Sequence, residues 1–258
     1  MTDTIPAPDG FFPHAPADGA PIRAIAWRHT PAPDGAATIV FLPGYMSDMA
    51  GGKACAVFDW ARASGRGCLL LDYSGCGQSD GDFADGTLSR WADEVCALIA
   101  AKASGPVVLV GSSMGGWLML LVALRLGDQA QALVGIAPAP DFTQWGFDAQ
   151  AQALLASGAT HYRDNAYGYD PTPTHAGFWA DGQANRLLGQ TIPLDCPVRL
   201  LHGQDDDVVP TDISMRLMAA LRSDDVQVSL IKGGDHRLSR PGDIALLLHT
   251  LHALMPAA

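Results

Sequence analysis

The sequence predicts an α/β fold, a mainly parallel sheet with helices on both faces. Three observations carry that expectation. Short apolar, β-branched runs alternate with longer helix-forming segments, the pattern of a parallel sheet covered on both sides. The chain has 258 residues, 48% of them hydrophobic, enough to bury a core of this kind. The run Val107-Val108-Leu109-Val110-Gly111-Ser112-Ser113-Met114-Gly115-Gly116-Trp117 passes from strand to helix through G-x-S-x-G without a linker.

Taken in order, residues 1–20 are rich in Pro, Asp, Gly and Ala and read as a loose lead-in. An outer strand is expected at 22–29, then a strand at 37–42, a helix at 53–63 and a strand at 68–73. The helix expected at 88–102 has a one-sided apolar pattern in Leu88, Trp91, Val95, Leu98 and Ile99. A strand at 107–111, a helix at 116–126 and a strand at 132–136 follow. The last part alternates strand 198–202, helix 211–221, strand 226–231 and helix 243–254.

Between 138 and 197 the alternation stops and aromatic residues gather: Phe142, Trp145, Phe147, Tyr162, Tyr167, Tyr169, Phe178 and Trp179. A stretch this long inside a compact domain reads as a lid or binding segment. The organisation expected is one domain over 1–258 with an insertion at about 138–197. Its rings either cover an apolar acyl or aryl group or pack the insertion onto the body. Trp145, Phe147, Tyr162 and Arg163 are the candidate substrate-binding residues.

Bulk properties exclude several classes of partner. A formal charge of -11 repels nucleic acid and anionic membranes. The longest strongly apolar stretch, 117–124, stops at Arg125, well short of the about 20 residues a membrane span needs. The opening MTDTIPAPDG lacks the basic and apolar regions of a signal peptide. With no CxxC pair, the five cysteines read as reduced thiols, and a cytoplasmic protein is expected.

In the strand-to-helix context, G-x-S-x-G is a nucleophile elbow and Ser113 its nucleophile. A side chain at Gly111 or Gly115 would crowd the turn. A serine needs a base to accept its proton and an acid to orient that base, in the chain order Ser, Asp or Glu, His for folds with this elbow. His236, in Gly233-Gly234-Asp235-His236-Arg237 after the last strand, is the candidate base among eight histidines. His202 stands at a strand end, where a structural role is expected. The acid lies among Asp205, Asp206 and Asp207, the remaining two capping the next helix or facing solvent. Adjacent aspartates seldom converge on one ion, so no metal is expected. Oxyanion donors are expected from the backbone N–H of Met114 and of Tyr45, with Met46 the alternative to Tyr45.

Five segments occur in order: FLPGYMSDMAGGKA, LDYSGCGQSDG, VGSSMGGWLML, CPVRLLHGQDDDVVP and Asp235-His236-Arg237. From about Ile39 to the C-terminus the chain thereby resembles the acyl-protein (palmitoyl) thioesterase and acyl-glucuronide esterase group of the α/β-hydrolases. The resemblance implies the α/β-hydrolase fold. Through the pattern H-G-x-x-D-x-x-V-P it selects Asp206 as acid, beside Ser113 and His236. Animal members of that group are mitochondrial, whereas the first ten residues here lack the arginines of a transit peptide.

The chemistry expected is hydrolysis of a carboxylic ester or thioester through an acyl-serine, without a cofactor. The partner is a small acyl ester or thioester, or an acylated protein. Acyl transfer or perhydrolysis on the same triad, and a non-catalytic small-molecule-binding homologue, are the alternatives. The acidic surface disfavours anionic leaving groups unless a local cation, Arg163, Arg186 or Arg237, receives them.

Overall fold

The computed structural model describes residues 6–16, 19, 21–164 and 170–255. Its first half runs β1 (Gly10–His14), β2 (Arg23–Thr30), β3 (Thr38–Leu42), α1 (Gly52–Ala63), β4 (Gly67–Leu71), α2 (Leu88–Lys102), β5 (Val107–Ser112), α3 (Met114–Leu126) and β6 (Ala130–Ile136). Then come α4 (Phe142–Trp145), α5 (Ala149–Ala156), the paired strands β7 (His161–Arg163) and β8 (Thr172–Thr174), and α6 (Ala176–Ala184). The chain returns to the sheet with β9 (Val198–Gly203), α7 (Thr211–Ala220), β10 (Val226–Ile231) and α8 (Pro241–Leu254).

Eight strands form one sheet in the order β1-β2-β4-β3-β5-β6-β9-β10, parallel from β4 onwards. Every residue of β3 and β4 is buried, because helices cover both faces. Alternate residues feed two cores. Val40, Leu42, Leu69 and Leu109 pack under α2 and α3, while Ile39, Phe41, Leu70 and Val108 pack under α1 and α8. The apolar stripe foreseen on α2 is fully buried against the first core.

Several boundaries shift by one or two residues, and two differences from expectation bear on the sheet edge and the site. The lead-in contains an edge strand, β1, antiparallel to β2 from Gly10↔Trp27 to His14↔Arg23, so β2 is the second strand and not the outer one. Phe12 anchors β1 on the core, a contact that the surrounding Pro and Gly residues hide in the sequence. α3 begins at Met114, directly after Ser113, instead of at 116.

The segment between β6 and β9 covers the C-terminal ends of the central strands. Phe142 and Phe178 meet Tyr45 edge-on, at 6.0 and 4.9 Å between ring centroids. Asp141, buried with φ 58°, accepts the amides of Leu187 and Leu188 at 2.8 Å each and ties the two ends of the segment together. Tyr167 and Tyr169, two of its expected rings, lie outside the described residues. No helix among the described residues is long and apolar enough to cross a membrane.

Candidate active site

Ser113 sits where β5 turns into α3, with φ 55° and ψ -120°. That backbone is strained for a residue with a side chain, and it persists because the turn is over-determined. A Cβ on Gly115 would lie 2.1 Å from the Leu42 carbonyl oxygen, and one on Gly111 2.3 Å from that of Gly115. The Ser113 amide donates to Ile136 O at 2.9 Å, and its carbonyl accepts from Gly116 and Ala139.

His236 lies on the loop after β10 and Asp206 on the loop after β9. Gly203 lets these loops touch, since a Cβ there would lie 2.3 Å from the Gly234 carbonyl oxygen. The amides of Gln204 and Asp205 donate to Ile231 O and Gly234 O, both at 2.9 Å. The result is a continuous chain of hydrogen bonds. The Ser113 hydroxyl donates to His236 Nε2 at 3.1 Å, and His236 Nδ1–H donates to Asp206 Oδ2 at 2.9 Å.

The Asp206 side chain is fully buried. Burial pushes its carboxyl upward, but the N–H groups of His202, His236 and the Val209 amide outweigh that and hold it below the usual carboxylate range. Its Oδ1 accepts the amides of Val208 and Val209 at 2.9 and 2.8 Å. Of the neighbouring aspartates, Asp205 is exposed and Asp207 is exposed at the cavity wall. Neither caps the next helix: α7 has Pro210 as its N-cap residue and no side-chain cap.

Tyr45 and Met114 both line the cavity above Ser113. Met114 opens α3, so its amide has no intrahelical acceptor. The loop bearing Tyr45 is braced on both sides by β4's extension. The Tyr73 hydroxyl donates to Pro43 O at 3.0 Å, and Asp72 Oδ1 accepts the Met49 amide at 2.7 Å. Asp72 Oδ2 accepts the Gln78 amide at 2.8 Å, and Ser79 donates to Asp72 O at 2.7 Å. The DYSGCGQSDG segment thus serves as a scaffold for the Tyr45 loop, a role with no local sequence signal. The Tyr45 phenol donates to Pro173 O at 3.0 Å, and burial raises its pKa.

The cavity measures about 910 Å³ and reaches Ser113, His236, Trp145, Phe147, Arg163 and Arg237. Tyr162 does not line it and is 63% exposed. Strand alternation explains this placement: His161 and Arg163 turn toward the Phe147 ring, at 5.5 and 5.2 Å, and the residue between them turns away. Arg186 is exposed and also does not line the cavity. Lys53, which sequence reasoning passed over, does line it and donates to the Arg237 carbonyl. Burial, then the Arg237 charge, lowers the Lys53 pKa.

A strained serine elbow on a parallel sheet, with the His and Asp on later loops, defines a class. The sequence model of the alpha/beta hydrolase family matches residues 39–245, and the chain belongs to that family. It is a hydrolase. Human palmitoyl-protein thioesterase ABHD10, mitochondrial, is 36% identical over 226 residues, covering 84% of this chain and 72% of that protein. A crystal structure of a hydrolase from Agrobacterium vitis S4 superposes with a TM-score of 0.88 at 37% identity, covering 95% of this chain and 99% of that one. The structure of mouse alpha/beta hydrolase domain-containing protein 10 gives 0.82 at 36% identity, covering 90% and 94%.

Proposed function

We propose that this chain cleaves carboxylic esters or thioesters through an acyl-serine intermediate, with Ser113, His236 and Asp206 as its triad. The observation that carries the reading is the Ser113–His236–Asp206 relay at 3.1 and 2.9 Å in the wall of a cavity with an aromatic side. As the Ser113 oxygen attacks the acyl carbon, its proton passes to His236 Nε2. The Asp206 carboxylate holds the Nδ1–H tautomer and stabilises the imidazolium. The amides of Tyr45 and Met114 receive the oxyanion, each worth about 2.7–4 kcal/mol in the transition state. The proton on His236 then moves to the departing alcohol or thiol, and water, deprotonated by the same imidazole, releases the acid.

Residues 138–197 act as a lid on a single domain in this reading, with Trp145 and Phe147 contacting the acyl group. The relative's name, palmitoyl-protein thioesterase, favours long-chain acyl thioesters, including acylated protein, as the substrate class. Lys53, Arg163 and Arg237 give part of the cavity wall positive charge in a chain of net -11. Asp48, Asp164 and Asp207 line the same cavity, so an anionic leaving group is received only where it meets these cations rather than the carboxylates.

The test assays wild type and Ser113→Ala on a chain-length series of p-nitrophenyl esters and matching acyl thioesters. Turnover that the substitution abolishes is expected, together with fluorophosphonate labelling of wild type alone. Folded wild type that neither turns over nor labels would replace this reading with the non-catalytic one.

A further inference from the structure

We infer that His202 is a positioning residue that holds the Asp206 carboxylate, an inference that rests on the triad reading above. Its place at the end of β9 suggested a purely structural residue, yet it touches the acid directly. The imidazole is completely buried. His202 Nε2 lies 2.9 Å from Val209 O and 3.2 Å from Asp206 Oδ2. A carbonyl oxygen only accepts, so Nε2 carries the hydrogen; that N–H is bonded to the Val209 carbonyl and lies beside the carboxylate, which it attracts electrostatically. In the neutral imidazole Nδ1 then has a free lone pair, to which the buried Ser214 hydroxyl on α7 donates at 2.7 Å. Ser214 thereby fixes the tautomer that points a hydrogen at Asp206.

The consequence is a carboxylate with two N–H groups beside each oxygen, three of them hydrogen-bonded to it. Oδ1 has the amides of Val208 and Val209, and Oδ2 has the imidazoles of His202 and His236. Turning the carboxylate about its Cβ–Cγ bond breaks all four contacts at once. Without the His202 N–H, His236 is the only N–H beside Oδ2, and the acid no longer has a fixed direction from which to orient the base. A histidine that only filled the core could be replaced by an apolar residue of similar size without affecting the chemical step. One that positions Asp206 could not.

The experiment compares His202→Leu, His202→Gln and Ser214→Ala with wild type on one p-nitrophenyl ester, with Ser113→Ala as control. Leu removes the donor; Gln places an amide N–H close to the original Nε2. His202→Leu is expected to lower kcat about ten- to hundredfold with KM within about twofold. His202→Gln should recover most of that loss, and Ser214→Ala should lower kcat a few-fold. The effect of His202→Leu should largely vanish in an Asp206→Asn background, because a residue acting through Asp206 has nothing left to position. Full kcat in a folded His202→Leu, equal losses in Leu and Gln, or an undiminished loss in the Asp206→Asn background would each overturn the inference. If His202→Leu does not fold, the Gln and Ser214→Ala variants decide: kcat unchanged in Ser214→Ala, or collapsed in a folded His202→Gln, overturns it. Wild-type turnover that survives Ser113→Ala would instead overturn the triad reading.

Discussion

Two buried carboxylates behave in opposite ways. The Asp206 side chain and Glu94 on α2 are both completely shielded from solvent. Glu94 receives the Ser74 amide on Oε2 at 2.9 Å, while Oε1 has no hydrogen-bond partner among the described residues. Burial raises its pKa, against the pull of Ser74, Arg23 and Arg90. At Asp206 four N–H groups, three of them hydrogen-bonded, reverse the effect of burial. Asp72 lies between them with one amide on each oxygen, and burial still prevails there, raising its pKa. Depth alone does not decide whether a carboxylate stays charged; the number and kind of donors aimed at it do.

The largest expected consequence is catalytic. Asp206→Asn should lower kcat on a p-nitrophenyl ester by about 10³–10⁴-fold, because the amide can no longer enforce the required imidazole tautomer. A loss under about tenfold would remove Asp206 from the mechanism. Next comes Asp72→Asn, which leaves one oxygen for two amides and loosens the Tyr45 loop. A kcat loss of about tenfold is expected, and unchanged kcat would show that this brace does not matter to the oxyanion donor.

Stability against pH sharpens the same contrast. The Asp206 pKa is lowered in the folded state, so its contribution is complete above the unfolded value of about 3.9 and disappears as pH falls through the folded value. The Glu94 pKa is raised, so ionising it costs stability as pH rises from about 4.3 through the folded value. Relative to wild type, Asp206→Asn should therefore lose Tm as pH rises to about 4 and stay level above that, whereas Glu94→Gln should gain Tm as pH rises above about 4.3. Parallel slopes would refute the donor-count account. The smallest effect should be on the activity of Glu94→Gln, with kcat within about twofold of wild type, since Glu94 reaches the Tyr45 loop only through the Ser74 amide, which Gln can still accept.

Much of this was legible in the sequence because it is written in short-range terms. The buried runs of β3, β4 and β5 and the stripe on α2 carry their periodicity locally, and the elbow combines motif and context in eleven residues. The loops holding Asp206 and His236 follow strands that are themselves readable. Long-range partners were not legible. β1 becomes a strand only beside β2, and Asp72 and Tyr73 reveal their role only when the Tyr45 loop is folded over them. Tyr162 faces outward because β7 is a strand, and three residues flanked by loop carry too little pattern to give that parity. Lys53 and His202 looked like an ordinary helix start and a strand end. Their contacts with Arg237 and Asp206 exist only in three dimensions.

The Tyr45 phenol has a consequence for redesigning specificity. Its backbone belongs to the loop that lines the cavity beside Ser113, and its hydroxyl is spent on Pro173 in the covering segment. Grafting the covering segment of another α/β-hydrolase onto this body would therefore orphan a half-buried phenol, at about 1–3 kcal/mol, unless the donor sequence carries its own acceptor at the position of Pro173. Transplants that preserve this one carbonyl, or that pair a new cover with Tyr45→Phe, are the ones that leave the catalytic floor undisturbed.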